Sequence, residues 1–333
     1  MAPRSIYLLD QKACDLIYRR EARDRIHTLT ESDGLVYGRE EILASPGSFS
    51  EVEIVFSGWG CPKMDEELLD ALPNLKALFY GAGSVRYFVT ESFWKRSILL
   101  TSSFRANAIP VADYTVASVV FALKRAWLDN RAIRSNRETV NRDLSPGVYH
   151  GSTVGIVSLG AIGQLVCKRL FSMNLDVLGY DPYAPSAIFD EFGVQRVNSL
   201  REIFRSSKVV SLHAPLLPST VGMITGELVR QMPEGGVLIN TARGGLLAES
   251  EVYDVVKDRP DLFAVLDVLT EEENLNASPF ARLPNVFLTS HIAGSIGNEC
   301  YRMGDFAVDE AERYLSSRPP LDAVVEEKIE LMA

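Results

Sequence analysis

Short apolar runs separated by polar, helix-forming stretches recur along the whole chain, the pattern of strands buried on both faces and joined by crossover helices. In the first third the runs fall at residues 6–9, 52–57, 75–80 and 98–100. Between the second and third, residues 65–72 carry helix formers and one apolar face, stopped by Pro73. A small parallel sheet with flanking helices follows from this pattern. Pro110 then reads as the opening of a long helix over residues 111–127, whose Ala, Val, Phe and Leu suit burial on more than one face and a bridge between domains. A polar stretch, residues 130–151, contains a turn at Pro146-Gly147. Beyond it come runs at residues 153–157, 176–180, 209–213, 237–240, 264–267 and 286–289, with helical candidates such as residues 249–257 between most of them. The predicted fold class is α/β, with two domains, each a doubly wound parallel sheet with flanking helices. A chain of 333 residues is too long for one core of modal size, which agrees with two domains.

One segment carries more than a fold. Thr153-Val154-Gly155-Ile156-Val157-Ser158-Leu159-Gly160-Ala161-Ile162-Gly163 reads as a buried strand, a tight turn and a helix start. Gly160 leaves room for a pyrophosphate to approach the backbone at a helix N-terminus, and Gly163 lets helix and strand pack closely. The helix is expected over residues 161–173. The next strand delivers Asp181 roughly twenty residues beyond the glycines, where a carboxylate accepts the hydroxyls of an adenosine ribose and repels a 2′-phosphate. That favours NAD over NADP. Ser158 stands where the turn usually has its first glycine; it fits if its φ is negative and is strained if its φ is positive.

Charge and cysteines narrow the remaining classes. Lys and Arg number 34 against 44 Asp and Glu, a formal charge of −10, so nucleic acid has no general electrostatic reason to bind. Arg131, Arg134, Arg137 and Arg142 form a basic patch, but Asn and Glu interrupt it and no aromatics interleave. Cys14, Cys61, Cys167 and Cys300 lie far apart without metal-ligand spacing; reduced thiols in a cytoplasmic protein, and no metal, are expected. The first residues read as a strand and not a signal peptide, and no run is read as reaching membrane-spanning length.

Doubly wound sheets bind ligands beyond the carboxyl ends of their strands. Three ionisable groups fall there: Arg243 after residues 238–242, Glu272 after residues 266–269, and His291 after residues 287–290. A histidine bonded to a carboxylate stays protonated nearer neutral pH and can give a proton to a carbonyl undergoing reduction. An arginine nearby can clamp a carboxylate through two charge-assisted hydrogen bonds. Each group alone has a plainer reading: a satisfied loop histidine, a helix-start or interdomain salt bridge, and a solvated acidic run, Glu271-Glu272-Glu273. Their joint placement is what ketone reduction needs.

These segments resemble the D-isomer-specific 2-hydroxyacid dehydrogenase family over almost the whole chain. The resemblance is densest in residues 153–294, through the nucleotide turn, Val210-Ser211-Leu212-His213-Ala214-Pro215-Leu216, Leu238-Ile239-Asn240-Thr241-Ala242-Arg243-Gly244-Gly245, Leu266-Asp267-Val268, and Leu283-Pro284-Asn285-Val286-Phe287-Leu288-Thr289-Ser290-His291-Ile292-Ala293-Gly294. It implies an NAD-binding Rossmann domain, residues 109–295, inserted in a flavodoxin-like substrate domain made of residues 1–108 and 296–333. It implies reversible, NAD-dependent reduction of a short 2-keto acid, glyoxylate- or hydroxypyruvate-like, to the D-2-hydroxy acid. Arg243, Glu272 and His291 fall on the family's catalytic positions, although Glu273 and Ser290 stand where proline is common. Cofactor contacts fall on Gly160, Ala161, Ile162, Asp181, His213, Ala214, Thr241, Ala242, Asp267, His291 and Gly294. Substrate contacts fall on Trp59, Ala82, Gly83 and Arg243, with Gly81-Ala82-Gly83-Ser84-Val85 similar to the loop whose amides hold the substrate carboxylate. In the segment that begins the interdomain helix, Asp113 replaces a more usual glutamate.

Some roles stay open at this point. Trp59 lines the cleft or packs beneath its own loop; Arg86 and Arg105 serve a larger or phosphorylated substrate or are surface groups; Tyr183 borders the adenine or faces solvent. The family is mostly dimeric through its cofactor domains, so a homodimer is expected, with no nucleic-acid or membrane partner. A different class shares the fold, since the family includes NAD(H)-sensing corepressors that recruit proteins. Formate-oxidising members fit less well, because they pair glutamine with the histidine where this chain has Glu272.

Overall fold

The computed structural model describes residues 2–135 and 145–329. The chain divides into two compact units, residues 1–107 with 295–333, and residues 108–294.

Five strands build the first unit: β1 (Arg4–Leu8), β2 (Glu31–Tyr37), β3 (Val52–Ser57), β4 (Ala77–Tyr80) and β5 (Leu99–Ser102). They lie in the order β2-β1-β3-β4-β5, every pair parallel. Successive residues of the central strands serve opposite cores: Ile6, Leu8, Val55 and Leu78 face one side, and Tyr7, Ile54, Phe56 and Phe79 the other. That is why these strands read as continuous apolar runs. β2 was not expected from the sequence. It is an edge strand that begins Glu31-Ser32-Asp33-Gly34 and alternates between exposed and half-buried positions, so it lacks the apolar run that marks its neighbours. The return segment closes the unit through the helix Cys300–Leu315. A Cβ on its Gly304 would lie 2.1 Å from the carbonyl oxygen of Ile17, so only glycine permits this approach.

Seven strands build the second unit: β6 (Thr153–Val157), β7 (Asp176–Tyr180), β8 (Gln195–Arg196), β9 (Val209–Leu212), β10 (Val237–Asn240), β11 (Phe263–Leu266) and β12 (Val286–Leu288). Their order is β12-β11-β10-β9-β6-β7-β8, again all parallel. The order reverses between β6 and β9, which opens a crevice at the carboxyl ends of those two strands. β8, at two residues, is too short to leave a period in the sequence.

The long helix differs from its sequence reading. It runs from Phe104 to Leu123 with Pro110 inside it, not at its start. Proline is tolerated because its missing N–H deprives only the Ala106 carbonyl of a helical partner. Arg125, in the left-handed region at φ 57°, breaks the chain into a second helix, Ala126–Arg134. Trp127 therefore belongs to that second helix, where it stacks on Phe263 at 5.3 Å between ring centroids. The extra turns also overturn the expectation that no run is of membrane-spanning length. Among the described residues this one helix is long and apolar enough to cross a membrane by length and composition, and 61% of that apolar stretch is buried. Of the basic patch, Arg131 and Arg134 lie in the second helix, whereas Arg137 and Arg142 lie outside the described residues.

Candidate active site

The crevice between β6 and β9 is shaped by glycines and one carboxylate. The helix Ala161–Phe171 starts at Gly160 with no side chain capping its first turn, and a Cβ on Gly160 would meet nothing within 4 Å. Its first amides are thus left for an anion. A Cβ on Gly163 would lie 2.2 Å from the Ser158 carbonyl oxygen, which explains why helix and turn require glycine there. Ser158 takes the strained alternative, with φ 77°. Asp181, just past β7 and 9% exposed, accepts the N–H groups of Leu159, Tyr183 and Ala184. Tyr183 itself is 78% exposed. His213 closes the other side of the crevice, its N–H bonded to the Val157 carbonyl at 2.8 Å. Its ring is buried, with Nε2 3.0 Å from the Ser211 hydroxyl and Nδ1 without a hydrogen-bond partner. Burial pushes the imidazole down to about 3, so it is neutral.

Three neighbouring strands end in register, Asn240 beside Leu266 and Leu266 beside Leu288. The loops beyond them carry Arg243, Glu272 and His291. After β10, the buried Asn240 braces the turn: its Oδ1 accepts the Ala242 N–H and its Nδ2 donates to the Arg243 carbonyl. Gly244 is compelled by packing, since a Cβ there would lie 1.9 Å from the Leu269 carbonyl carbon. Arg243 donates through Nη1 to the Ala242 carbonyl at 2.6 Å. Burial lowers its proton affinity below the ordinary arginine value, and the charge of Glu272 opposes that shift, which places the two groups within electrostatic reach.

After β12 the chain is held by Asp267, 1% exposed. Its Oδ1 accepts the Thr289 hydroxyl (2.6 Å) and the Ile292 N–H (2.9 Å), its Oδ2 the Ala293 N–H (2.9 Å), and its backbone carbonyl the His291 N–H (2.8 Å). The Tyr114 hydroxyl adds a 3.1 Å contact to Thr289. Clamped on both sides, His291 adopts φ 56°, in the left-handed region that few non-glycine residues enter. Its Nδ1 lies 2.9 Å from Glu272 Oε2, with both side chains partly exposed. Of the three glutamates in the acidic run, it is Glu272 that meets the ring; the Glu271 carboxylate instead accepts the Glu273 N–H. With Nδ1 directed at the carboxylate, Nε2 is the nitrogen left for a reacting group.

A model of the family described as D-isomer specific 2-hydroxyacid dehydrogenase, NAD binding domain, matches residues 116–293. The chain belongs to the D-isomer-specific 2-hydroxyacid dehydrogenase family. D-3-phosphoglycerate dehydrogenase of Methanocaldococcus jannaschii is 28% identical over 83% of this chain and 52% of its own length. The chain spans about half the length of the first such curated relatives it matches. Glycerate dehydrogenase of Methylorubrum extorquens is 29% identical, covering 77% of this chain and 81% of that protein. Among solved structures, a phosphoglycerate oxidoreductase from Rhizobium etli superposes with a TM-score of 0.83 over 98% of this chain and 99% of that one, at 20% identity, a likeness of fold.

The positions suggested by the family resemblance sort unevenly in the structure. Thr241 and Ala242 are buried beside the arginine turn, the Thr241 hydroxyl 3.1 Å from that of Thr115. Ala214 is also buried, and Gly294 half-buried. Within the first unit, the order of strands reverses between β1 and β3, and the loops leaving them meet where the Asp10 N–H donates to the Trp59 carbonyl at 3.1 Å. Trp59 is 37% exposed. Ala82 is buried and Gly83 half-buried, their carbonyls held by the Ser102 hydroxyl at 3.1 and 2.6 Å. Arg105 is paired with the buried Asp322, which gives its charge a structural partner.

Asn240, Thr289 and Tyr114 escaped the sequence reading. Asn240 left a local signal, because asparagine accepting the amide two residues on is an Asx turn at a strand end. Thr289 and Tyr114 left none, their partners being 22 and 175 residues away.

Proposed function

We propose that this protein is an NAD-dependent dehydrogenase that reversibly reduces a short 2-keto acid to the D-2-hydroxy acid. The observation that carries the reading is the 2.9 Å pair of His291 and Glu272, in the loops after β12 and β11, at the same end of the sheet as the β10 loop that carries Arg243. The uncapped helix start at Gly160 and Ala161 with Asp181 fits a dinucleotide, the pyrophosphate at the amides and the ribose at the carboxylate. When bound, its nicotinamide supplies or accepts a hydride. His291 Nε2 gives a proton to the carbonyl oxygen in reduction and takes it back in oxidation, while Glu272 fixes the ring through Nδ1. Arg243 engages the substrate carboxylate and polarises the carbonyl, in surroundings dry enough to strengthen both contacts. Asp267 has about one acceptor position left on Oδ2 after its three loop donors, enough for one bond to the nicotinamide side. His213, Ala214, Thr241, Ala242, Ile162 and Gly294 line the cofactor's path, and Trp59, Ala82 and Gly83 contribute to substrate recognition.

Two observations support a small, unphosphorylated acid: the pairing of Arg105 with Asp322, and the similarity to a glycerate dehydrogenase over most of its length. NAD is preferred over NADP because Asp181 repels a 2′-phosphate. Assembly as a homodimer through the second unit is part of the reading; Phe121 and Phe287, 51% and 39% exposed, flank Trp127 there. Light scattering across a concentration series tests it, and a mass that stays near 36.9 kDa overturns the dimer. The reaction is tested by NADH oxidation with glyoxylate, hydroxypyruvate, its 3-phosphate, pyruvate and 2-oxobutyrate. Turnover of the unphosphorylated acids is expected, and a preference for the phosphate ester would move the substrate class.

A further inference from the structure

Ser158 combines two features that no other residue of the nucleotide turn shares. Its backbone lies at φ 77°, where a Cβ is disfavoured, and its hydroxyl donates to Asp181 Oδ2 at 3.2 Å. A carboxylate offers about four acceptor positions. On Asp181, Oδ1 receives the N–H groups of Tyr183 (2.8 Å) and Ala184 (3.0 Å), and Oδ2 receives the Leu159 N–H (2.8 Å) and the Ser158 hydroxyl. The carboxylate is therefore filled by the protein itself. Three of those donors are amides fixed by the path of the main chain. The fourth sits on a single rotatable bond, so it alone can leave without moving the backbone.

We infer that Ser158 sets the affinity for the dinucleotide by competition: its hydroxyl occupies the acceptor position on Asp181 that the adenosine ribose needs, and binding requires it to rotate away. The inference rests on the proposed role of Asp181 at the ribose. Because Asp181 is 9% exposed, little water is at hand to take over the displaced hydroxyl, and the exchange weakens binding by the worth of the lost contact. Strain in the turn is a separate effect of the same residue. Alanine keeps the Cβ and the strain but has no hydroxyl, whereas glycine has neither.

The test is NADH binding to the apo protein, followed by protein-to-nucleotide fluorescence transfer, with thermal melting of each apo variant as the check on folding. Ser158→Ala and Ser158→Gly should both bind NADH roughly two- to tenfold more tightly than the wild type, and Ser158→Gly alone should also melt higher. In an Asp181→Ala background, Ser158→Ala should change nothing. Equal or weaker binding by Ser158→Ala, with Asp181→Ala still weakening NADH, overturns the competition and leaves the ribose role of Asp181 standing. Wild-type affinity in Asp181→Ala overturns that role and the competition with it.

Discussion

His213 leaves β9 directly after its last residue, and His291 leaves β12 three residues beyond its end, both at the carboxyl end of one parallel sheet. In sequence the two look alike, Val-Ser-Leu before one and Leu-Thr-Ser before the other. Their rings meet opposite conditions. His213 is folded into the crevice, bonded to one hydroxyl, and stripped of its charge by burial. His291 is bent outward by a positive φ, partly exposed, and held against a carboxylate. A strand-end histidine becomes available for proton transfer only where the loop turns it away from the sheet toward a partner of opposite charge. The difference lies in Asp267, which holds the Thr289 hydroxyl before His291, the His291 N–H itself and the Ile292 and Ala293 N–H groups after it, and leaves the side chain free to reach Glu272.

The sharpest attempt to break this contrast is replacement of each ring. His291→Ala should lower turnover by about 10²- to 10⁴-fold while NADH still binds. His213→Asn should change turnover by no more than a few fold, and comparable losses in steady-state assays of the two variants would remove the distinction. Arg243→Lys keeps the charge but loses the planar fork, so kcat/KM should drop by about tenfold or more, read against an unchanged NADH affinity.

Two smaller effects test the environments themselves. Glu272→Gln removes the carboxylate that holds His291 Nδ1, and turnover should fall by about three- to tenfold with NADH affinity unchanged. Unchanged turnover would take Glu272 out of the proton-transfer pair. For His213 the folded ring titrates near 3 against an ordinary 6.5. Between those values the unfolded chain binds a proton that the folded chain refuses, so stability falls as pH drops from 6.5 toward 3. The loss amounts to about 2 kcal/mol at pH 5. Urea unfolding at pH 7 and pH 5 should show that increment in the wild type and its absence in His213→Asn.

What could be read in the sequence follows the same division. Central strands were legible because burial on both faces leaves unbroken apolar runs, while β2 and β8, at sheet edges, left no such trace. The long helix was misjudged at Pro110, since proline signals a helix start more often than an interior turn. Arg243, Glu272 and His291 could be picked out by counting from strand ends. The clamp around His291 could not, because the bonds of Asp267 to Thr289, Ile292 and Ala293 join loops 22 to 26 residues apart without any period. The same holds for Ser158, whose position in the sequence is compatible with either sign of φ and whose turn adopts 77°.

The central claim is that His291, paired with Glu272, transfers the proton in an NADH-dependent reduction of a 2-keto acid. It is tested most directly by following NADH oxidation from pH 6 to 8 with the panel of unphosphorylated 2-keto acids, wild type beside His291→Ala. The account predicts oxidation by the wild type with at least one acid, falling by about 10²-fold or more in the variant. Tight NADH binding without oxidation of any acid, or equal rates in the two proteins, would contradict it.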